Sequence, residues 1–259
     1  MNSEVISITF WQVLIAYVVI VVVYFMLRSR GLRRERLLFF ATIRMTLQLV
    51  LVGYLLMVIF DYANPFITAV IVLVMVGFAV FTLFRKFKDD LNRALRKTIL
   101  MSVPIGTIPI IVFFVWVVIR VEPYYDPQYI IPISGMIVGN SMTGISLGVH
   151  TLITRFKEGY DGIEEALVLG ATPEVASKSI FNDAFDAALL PTLNSMLGMG
   201  IIFLPGMMTG QILSGVDPTL AIMYQLVIML GILGGVSITT FVFLYFGVRT
   251  FFNSQQQLV

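Results

Sequence analysis

Residues 161–191 read DGIEEALVLGATPEVASKSIFNDAFDAALLP and form the one long polar interruption in the apolar second half of the chain. Asp161 is of a type that caps helices, and Glu164 three residues later would complete a capping box. Gly170 would end this short helix, because glycine adopts a left-handed backbone conformation without a steric penalty. The stretch therefore predicts a short helix that lies outside the membrane.

The apolar side chains of this predicted helix, 163–169, would lie on one side: Ile163, Leu167 and Val168. Thr172 and Pro173 fit the N-cap and the first position of a second helix, which continues into apolar sequence. A short outer helix is thus joined rigidly to a helix that enters the membrane. Such an element can receive a push from a soluble partner and transmit it to the membrane spans.

The composition is that of a membrane protein. Of the 259 residues, 58% are hydrophobic and 12% are charged, whereas soluble domains carry about 25% charged residues. The net charge is only +2 and the basic residues lie in loops, so nucleic-acid binding is not indicated. Without cysteine there are no disulfides and no thiolate metal sites. The expected fold is all-α and polytopic, with a single transmembrane domain over residues 1–259.

Seven apolar runs are each long enough to cross the roughly 30 Å hydrocarbon core of a bilayer: 8–27, 37–60, 65–84, 99–119, 130–152, 187–213 and 220–248. Basic blocks at 28–36 and 85–97 should remain in the cytoplasm by the positive-inside rule. The chain is therefore expected in the cell membrane, with its N-terminus outside and its C-terminus and the loop 155–183 inside. A Leu-Pro-Gly break at 204–206 interrupts the sixth run, which could cross fully or be re-entrant.

Two polar features stand out within the spans. Arg44 is the only charge well inside an apolar run, and Gln48 follows one turn later. Arg44 could extend to the near headgroups or pair with a buried carboxylate, since charges within membranes are usually paired or functional.

The fifth run carries Gly135, Gly139 and Thr143 on one helical face, with Asn140 at its border. Small residues of this kind let helices approach closely. The stripe could pack within one subunit, with Asn140 bonded to a neighbouring backbone carbonyl. Alternatively it could lie near a two-fold axis, with Asn140 lining a central path.

Fourteen methionines raise the question of metal binding. Thioethers suit Cu(I) better than iron or aluminium, and methionine is also an ordinary filler of apolar cores. Four of them flank the glycine-rich and Pro-Gly elements: Met136, Met142, Met207 and Met208. No metal site is assigned.

Enzymatic chemistry is not expected of this chain. It has no G-x-x-x-x-G-K-[ST] loop to cradle nucleotide phosphates, and a single histidine leaves little room for hydrolytic zinc. The apolar runs hold no Asp or Glu, which ion-coupled carriers usually need as relays. These absences favour a machine that is powered from outside the membrane, through the polar loop.

Several motifs resemble those of known permeases. Glu164, Glu165, Ala166, Gly170 and Ile180 have the spacing of the coupling-helix motif of ABC transporter permeases. Glu165 replaces the first alanine of that motif, and its Leu-Pro comes late, at 190–191. Four further stretches together resemble the iron-export ABC permease family of the Fet type, to which plant aluminium-tolerance permeases are similar: RMTLQLVLVGY at 44–54, IPISGMIVGNSM at 131–142, LGATP at 169–173 and LPGMMTG at 204–210.

The resemblance covers almost the whole chain and implies the membrane subunit of an ABC transporter, a homodimer paired with two ATPase subunits. Those partners would bind ATP and Mg²⁺, and this chain would carry no cofactor. The substrate would be a metal ion, with iron export implied, or a small solute. The alternatives are a non-transporting scaffold or regulator that docks a soluble partner, or an ion-coupled carrier or channel.

The resemblance also implies two sets of site residues. ATPase coupling would involve Asp161, Glu164, Glu165, Ala166, Gly170, Ala171, Thr172 and Pro173. The translocation path would include Arg44, Gln48, Met136, Asn140, Met142, Asn194, Pro205, Met207 and Met208. Asn194 departs from the family, which tends to have Asp there, so a cation would be bound less strongly at that position or elsewhere.

Overall fold

The computed structural model describes residues 7–32, 34–253 and 255–258, and Arg33 of the first basic block lies outside them. Within these ranges the chain is helical and contains no strand, which confirms the all-α prediction. The α-helices are α1 (Phe10–Ala16), α2 (Val18–Ser29), α3 (Glu35–Asp61), α4 (Pro65–Lys86), α5 (Arg93–Val112), α6 (Pro127–Glu158), α7 (Tyr160–Val168), α8 (Pro173–Ala176), α9 (Lys178–Gly198), α10 (Gly206–Leu213) and α11 (Pro218–Gly247). A π-helix, Phe113–Ile119, extends α5, and a 3₁₀-helix, Val248–Phe251, extends α11.

Among the described residues, six helices are long and apolar enough to cross a membrane. They are Phe10–Ser29, Glu35–Asp61, Pro65–Lys86, Arg93–Ile119, Pro127–Glu158 and Pro218–Phe251. The chain is therefore a polytopic membrane protein, as predicted.

The predicted sixth span, 187–213, is not one continuous helix. α9 ends at Gly198, α10 begins at Gly206, and Gly200 between them has a left-handed φ of +84°. The break that the Leu-Pro-Gly sequence predicts is present but extends further back, because the chain already leaves the helix at Met199, whose backbone is extended.

The described chain divides into two compact units. The smaller comprises the described residues up to Tyr62 together with Leu213–Gly215, and the larger comprises Ala63–Ile212 and the described residues from Val216 onward. In the smaller unit, α1 and α2 have no buried residue and α3 has one, Ile59.

The core of the larger unit forms around α11, which packs against α5, α6 and α9. Glycines allow these helices to approach closely. A Cβ at Gly106 of α5 would lie 2.5 Å from Cα and 2.6 Å from N of Thr239. A Cβ at Gly235 of α11 would lie 2.7 Å from Cγ2 of Ile137. Side chains at these two positions would separate α11 from its neighbours.

We expect Gly106→Ala to destabilise the larger unit by about 1–3 kcal/mol or more, because the new methyl group must displace the α11 backbone. The measurement is the melting temperature of the purified protein in detergent. Gly77→Ala is the matched control, since a Cβ at Gly77 of α4 meets no described atom within 4 Å. Equal melting temperatures for the two variants would contradict the close approach.

Candidate functional site

The helix α6 leads directly into the polar loop. Its 32 residues span about 48 Å, well beyond the roughly 30 Å hydrocarbon core. The next helix, α7, begins only one residue later, after Gly159. The chain then returns through α8 and α9, and α9 packs along α6. The two ends of α7 are therefore attached to a pair of packed helices.

The start of α7 differs from the predicted one. Gly159 is the N-cap and Asp161 lies in the first turn, so the predicted capping box of Asp161 and Glu164 is wrong. Helical hydrogen bonding begins earlier, because the Ile163 N–H already donates to the Gly159 carbonyl at 3.0 Å. In the first turn the Asp161 carboxylate still complements the positive end of the helix dipole.

The predicted stop at Gly170 is confirmed. Gly170 has a φ of +91°, and its N–H donates to the Leu167 carbonyl at 3.0 Å. The Ala171 N–H donates to the Ala166 carbonyl at 2.9 Å. These two bonds form a Schellman motif, which satisfies carbonyls at the end of the helix.

The predicted restart is confirmed as well. Thr172 is the extended N-cap and Pro173 the first residue of α8. Ser177, between α8 and α9, is buried and donates its hydroxyl to the Pro173 carbonyl at 2.6 Å. The Phe181 N–H donates to the Ser177 carbonyl, so the short helix continues into α9 with little interruption.

The apolar side chains of α7 do not share one side. Ile163 is buried, but Val168 is 83% exposed and Leu169 is 88% exposed. Val168 was predicted to lie with Ile163, and that is wrong, because five residues at 3.6 per turn rotate a side chain by about 140°. The adjacent pair Val168–Leu169 just before Gly170 is the signal that could have indicated an exposed apolar tip.

Carboxylates surround this tip. A surface groove of 610 Å³ is lined by Asp161, Glu164, Glu165, Val168 and Leu169. Val175 of α8 adds a further apolar side chain that is 65% exposed. The outer end of the loop therefore presents apolar side chains within an acidic border, a surface suited to a protein partner with a basic, partly apolar face.

Two ion pairs fix the end of α6, and the sequence alone did not predict them. Arg155 Nε lies 3.1 Å from Asp183 Oδ2 on α9, and Lys157 Nζ lies 3.1 Å from Asp90 Oδ1 in the α4–α5 loop. All four side chains are substantially exposed, so each pair contributes at most about 1 kcal/mol. The pairs link the end of α6 to α9 and to the α4–α5 loop.

The small-residue stripe of α6 is open at its centre. A Cβ at Gly139 would meet no described atom within 4 Å, and Asn140 and Thr143 are exposed. At Gly135, by contrast, an added Cβ would lie 3.1 Å from Cε of Met75 on α4. The single chain therefore does not bury the whole stripe.

Asn140 nevertheless has a backbone partner. Its side-chain amide donates to the Met136 carbonyl of its own helix at 2.7 Å. This bond matches the prediction of a backbone carbonyl partner, whereas the exposure of Asn140 matches the prediction that it lines a path. No hydrogen bond among the described residues joins Asn140 to Asn194, which is exposed on α9.

The remaining residues assigned to the path lie on several different elements. Met136, Met142 and Met207 are partly buried against the apolar core and Met208 is buried, as core-filling methionines would be. Pro205 lies in the break before α10. In the described part of the chain, no three His, Asp or Glu side chains come together as a metal site. Arg44 and Gln48 lie on α3, in the smaller unit.

The chain is similar to members of one group of membrane proteins. A model of an uncharacterised protein family (UPF0014) matches residues 10–252. The "Probable iron export permease protein FetB" of Escherichia coli (strain K12) is 32% identical over 259 residues, which are 100% of this chain and 97% of that protein.

Two further relatives are similar over most of their length. The "UPF0014 membrane protein slr1647" of Synechocystis is 35% identical over 234 residues, 90% of each chain. "Protein ALUMINUM SENSITIVE 3" of Arabidopsis thaliana is 32% identical over 243 residues, 94% of this chain and 87% of that one. No solved structure matches the chain.

We expect Gly170→Ala to loosen the turn between α7 and α8, because a side chain in the left-handed region costs about 1–2 kcal/mol. Hydrogen exchange in the peptide that covers Ala171 should accelerate by roughly five- to thirtyfold. Gly162→Ala in α7 is the control, since it has an ordinary φ and no described neighbour within 4 Å. Unchanged exchange in Gly170→Ala would show that the turn is not held as described.

Proposed function

The chain belongs to the uncharacterised protein family UPF0014, and from this membership we propose that it is the permease subunit of an ABC transporter in the cell membrane. A relative that matches along its whole length is named as a probable iron export permease. The proposed substrate is accordingly a metal ion moved out of the cell, or a small solute. A separate ATPase subunit would bind ATP and Mg²⁺ and hydrolyse the nucleotide.

The observation that carries this proposal is the exposed apolar tip of the polar loop. Val168 and Leu169 are almost fully exposed at the far end of a helix that extends beyond the membrane. Burial of such a side chain is favourable by about 1.5–3 kcal/mol, so the tip gains free energy when a soluble protein covers it. The acidic border indicates that the covering surface of the ATPase is basic.

The attachment of α7 supports a mechanical role. A single residue, Gly159, joins it to α6, and the rigid turn at Gly170 joins it to α8 and α9. A displacement of the tip would therefore move two packed helices together. Because α6 and α9 both contact α11, the movement would reach the core of the larger unit.

The open stripe of α6 supports a homodimer. Gly139, Asn140 and Thr143 leave a polar, small-residue face uncovered on a helix whose opposite face is buried. In a membrane such a face is best covered by protein or by a water-filled path. We propose that it faces the second permease subunit and lines the translocation path between them.

Leu169→Ser should weaken retention of the ATPase subunit roughly tenfold to a hundredfold, because it removes an apolar group from the proposed docking surface. The measurement is the apparent affinity of the purified ATPase for the permease in detergent. Ile201→Ser is the control, since Ile201 is 93% exposed in the break before α10. If both variants bind the ATPase as the native chain does, the tip is not the docking surface.

Asn140→Leu should leave folding and dimerisation largely intact but abolish substrate-stimulated ATP hydrolysis. The amide is bonded only within its own helix, so its loss leaves no buried partner unsatisfied. Thr82→Val is the control, because Thr82 of α4 has a similar bond, to the Phe78 carbonyl. Normal transport by Asn140→Leu would show that the path lies elsewhere. If the native permease and its ATPase transported nothing, the non-transporting scaffold would be favoured instead.

A further inference from the structure

A long groove runs between α2 and α3 of the smaller unit. Its volume is 530 Å³. The lining includes Tyr17 at the N-cap of α2, Val21 and Tyr24 of α2, and Glu35, Thr42 and Thr46 of α3. Both helices are long and apolar enough to cross a membrane, so the groove lies along membrane-spanning sequence.

The polar side chains along the groove are already bonded. Thr42 donates its hydroxyl to the Leu38 carbonyl, and Thr46 donates to the Thr42 carbonyl, each at 2.9 Å. The hydroxyls of Tyr17 and Thr46 form a hydrogen bond that links the start of α2 to α3 at one end of the groove. The surface offered to an occupant is therefore mainly hydrocarbon.

The length of the groove matches one leaflet of a bilayer. The lining residues of α3 run from Glu35 to Leu47, which is about 18 Å at 1.5 Å per residue. Half of the roughly 30 Å hydrocarbon core is about 15 Å. The groove is thus about as long as one acyl chain, measured from the loop that joins α2 and α3.

The polar end of the groove is basic. Tyr24, a lining residue, accepts a hydrogen bond from Arg28 Nη1 at 3.2 Å, which holds this guanidinium at the mouth. Arg30 and Arg34 follow in the loop, and Arg36 lies in the first turn of α3. Glu35 is the only acidic side chain in the lining, so positive charge prevails where a headgroup would lie.

We propose that this groove binds one anionic phospholipid, whose acyl chain lies between α2 and α3 and whose phosphate contacts Arg28. The site is independent of the proposed transport function. A second copy of the chain is a poorer occupant, because a symmetric contact here would bring two clusters of arginines together. A zwitterionic lipid could fill the groove but would gain less from the basic mouth.

Native mass spectrometry of the intact protein tests this proposal. The probes are phosphatidylglycerol and phosphatidylcholine with identical acyl chains, added in equal amounts in detergent. We expect one phosphatidylglycerol retained per chain, in preference to phosphatidylcholine. Arg28→Gln should reduce that preference by about fivefold, as loss of one basic group near the headgroup predicts.

Two matched controls distinguish the effect of the Arg28 charge from the effect of filling the groove. Arg249→Gln should leave the preference unchanged, although Arg249 makes the same kind of contact, to Tyr245 of α11 at 3.1 Å. Val21→Trp should displace both lipids, because Val21 lines the groove, whereas Val22→Trp should not. Val21 and Val22 are equally exposed, at 52% and 53%.

Several results would overturn the proposal. The native chain could retain the two lipids equally, or Arg28→Gln and Arg249→Gln could have the same effect. A lipid-free dimer that Val21→Trp dissociates would show that a second copy occupies the groove. Loss of ATPase binding in the transport experiments would leave the lipid result unaffected, so failures of the two proposals are distinguishable.

Discussion

The close approach of α11 to its neighbours is the contact on which the larger unit depends. In a membrane the hydrophobic effect gives helices little reason to associate, so van der Waals contact and geometry decide the packing. Gly106 allows the backbones of α5 and α11 to meet, and Gly235 admits Ile137 of α6. Because α9 also packs against α6 and α11, the helices that carry the polar loop are held by the same core.

This core connects two exposed surfaces, the tip of α7 and the open stripe of α6. The tip of α7 offers Val168 and Leu169 to a partner, and short connections at Gly159 and Gly170 leave little room for independent movement of the helix. The open stripe around Asn140 also needs a cover, because its exposure is tolerable in a membrane only if protein or water covers it. A permease dimer driven by a docked ATPase satisfies both requirements.

The sequence predicted those features that depend on local chemistry. Long apolar runs give membrane helices, and the turn at Gly170 and the restart at Thr172–Pro173 follow from backbone preferences. Predictions that depended on neighbouring structure were less successful. Asp161 does not cap α7, because α6 leads into it through Gly159, and the run 187–213 is divided because the chain leaves the helix at Met199. The groove between α2 and α3 requires two helices side by side, which no local pattern reveals.

We propose that this chain transports a substrate with energy delivered through α7 by a separate ATPase. The most direct test is ATP hydrolysis by the permease and its ATPase reconstituted together in lipid vesicles, screened over metals, lipids and nucleotide sugars. We expect a stable complex whose rate of ATP hydrolysis rises with one class of substrate, most directly a metal ion. An ATPase that does not associate with the chain, or that hydrolyses ATP at the same rate with and without it under every condition, would show that the chain is not driven in this way.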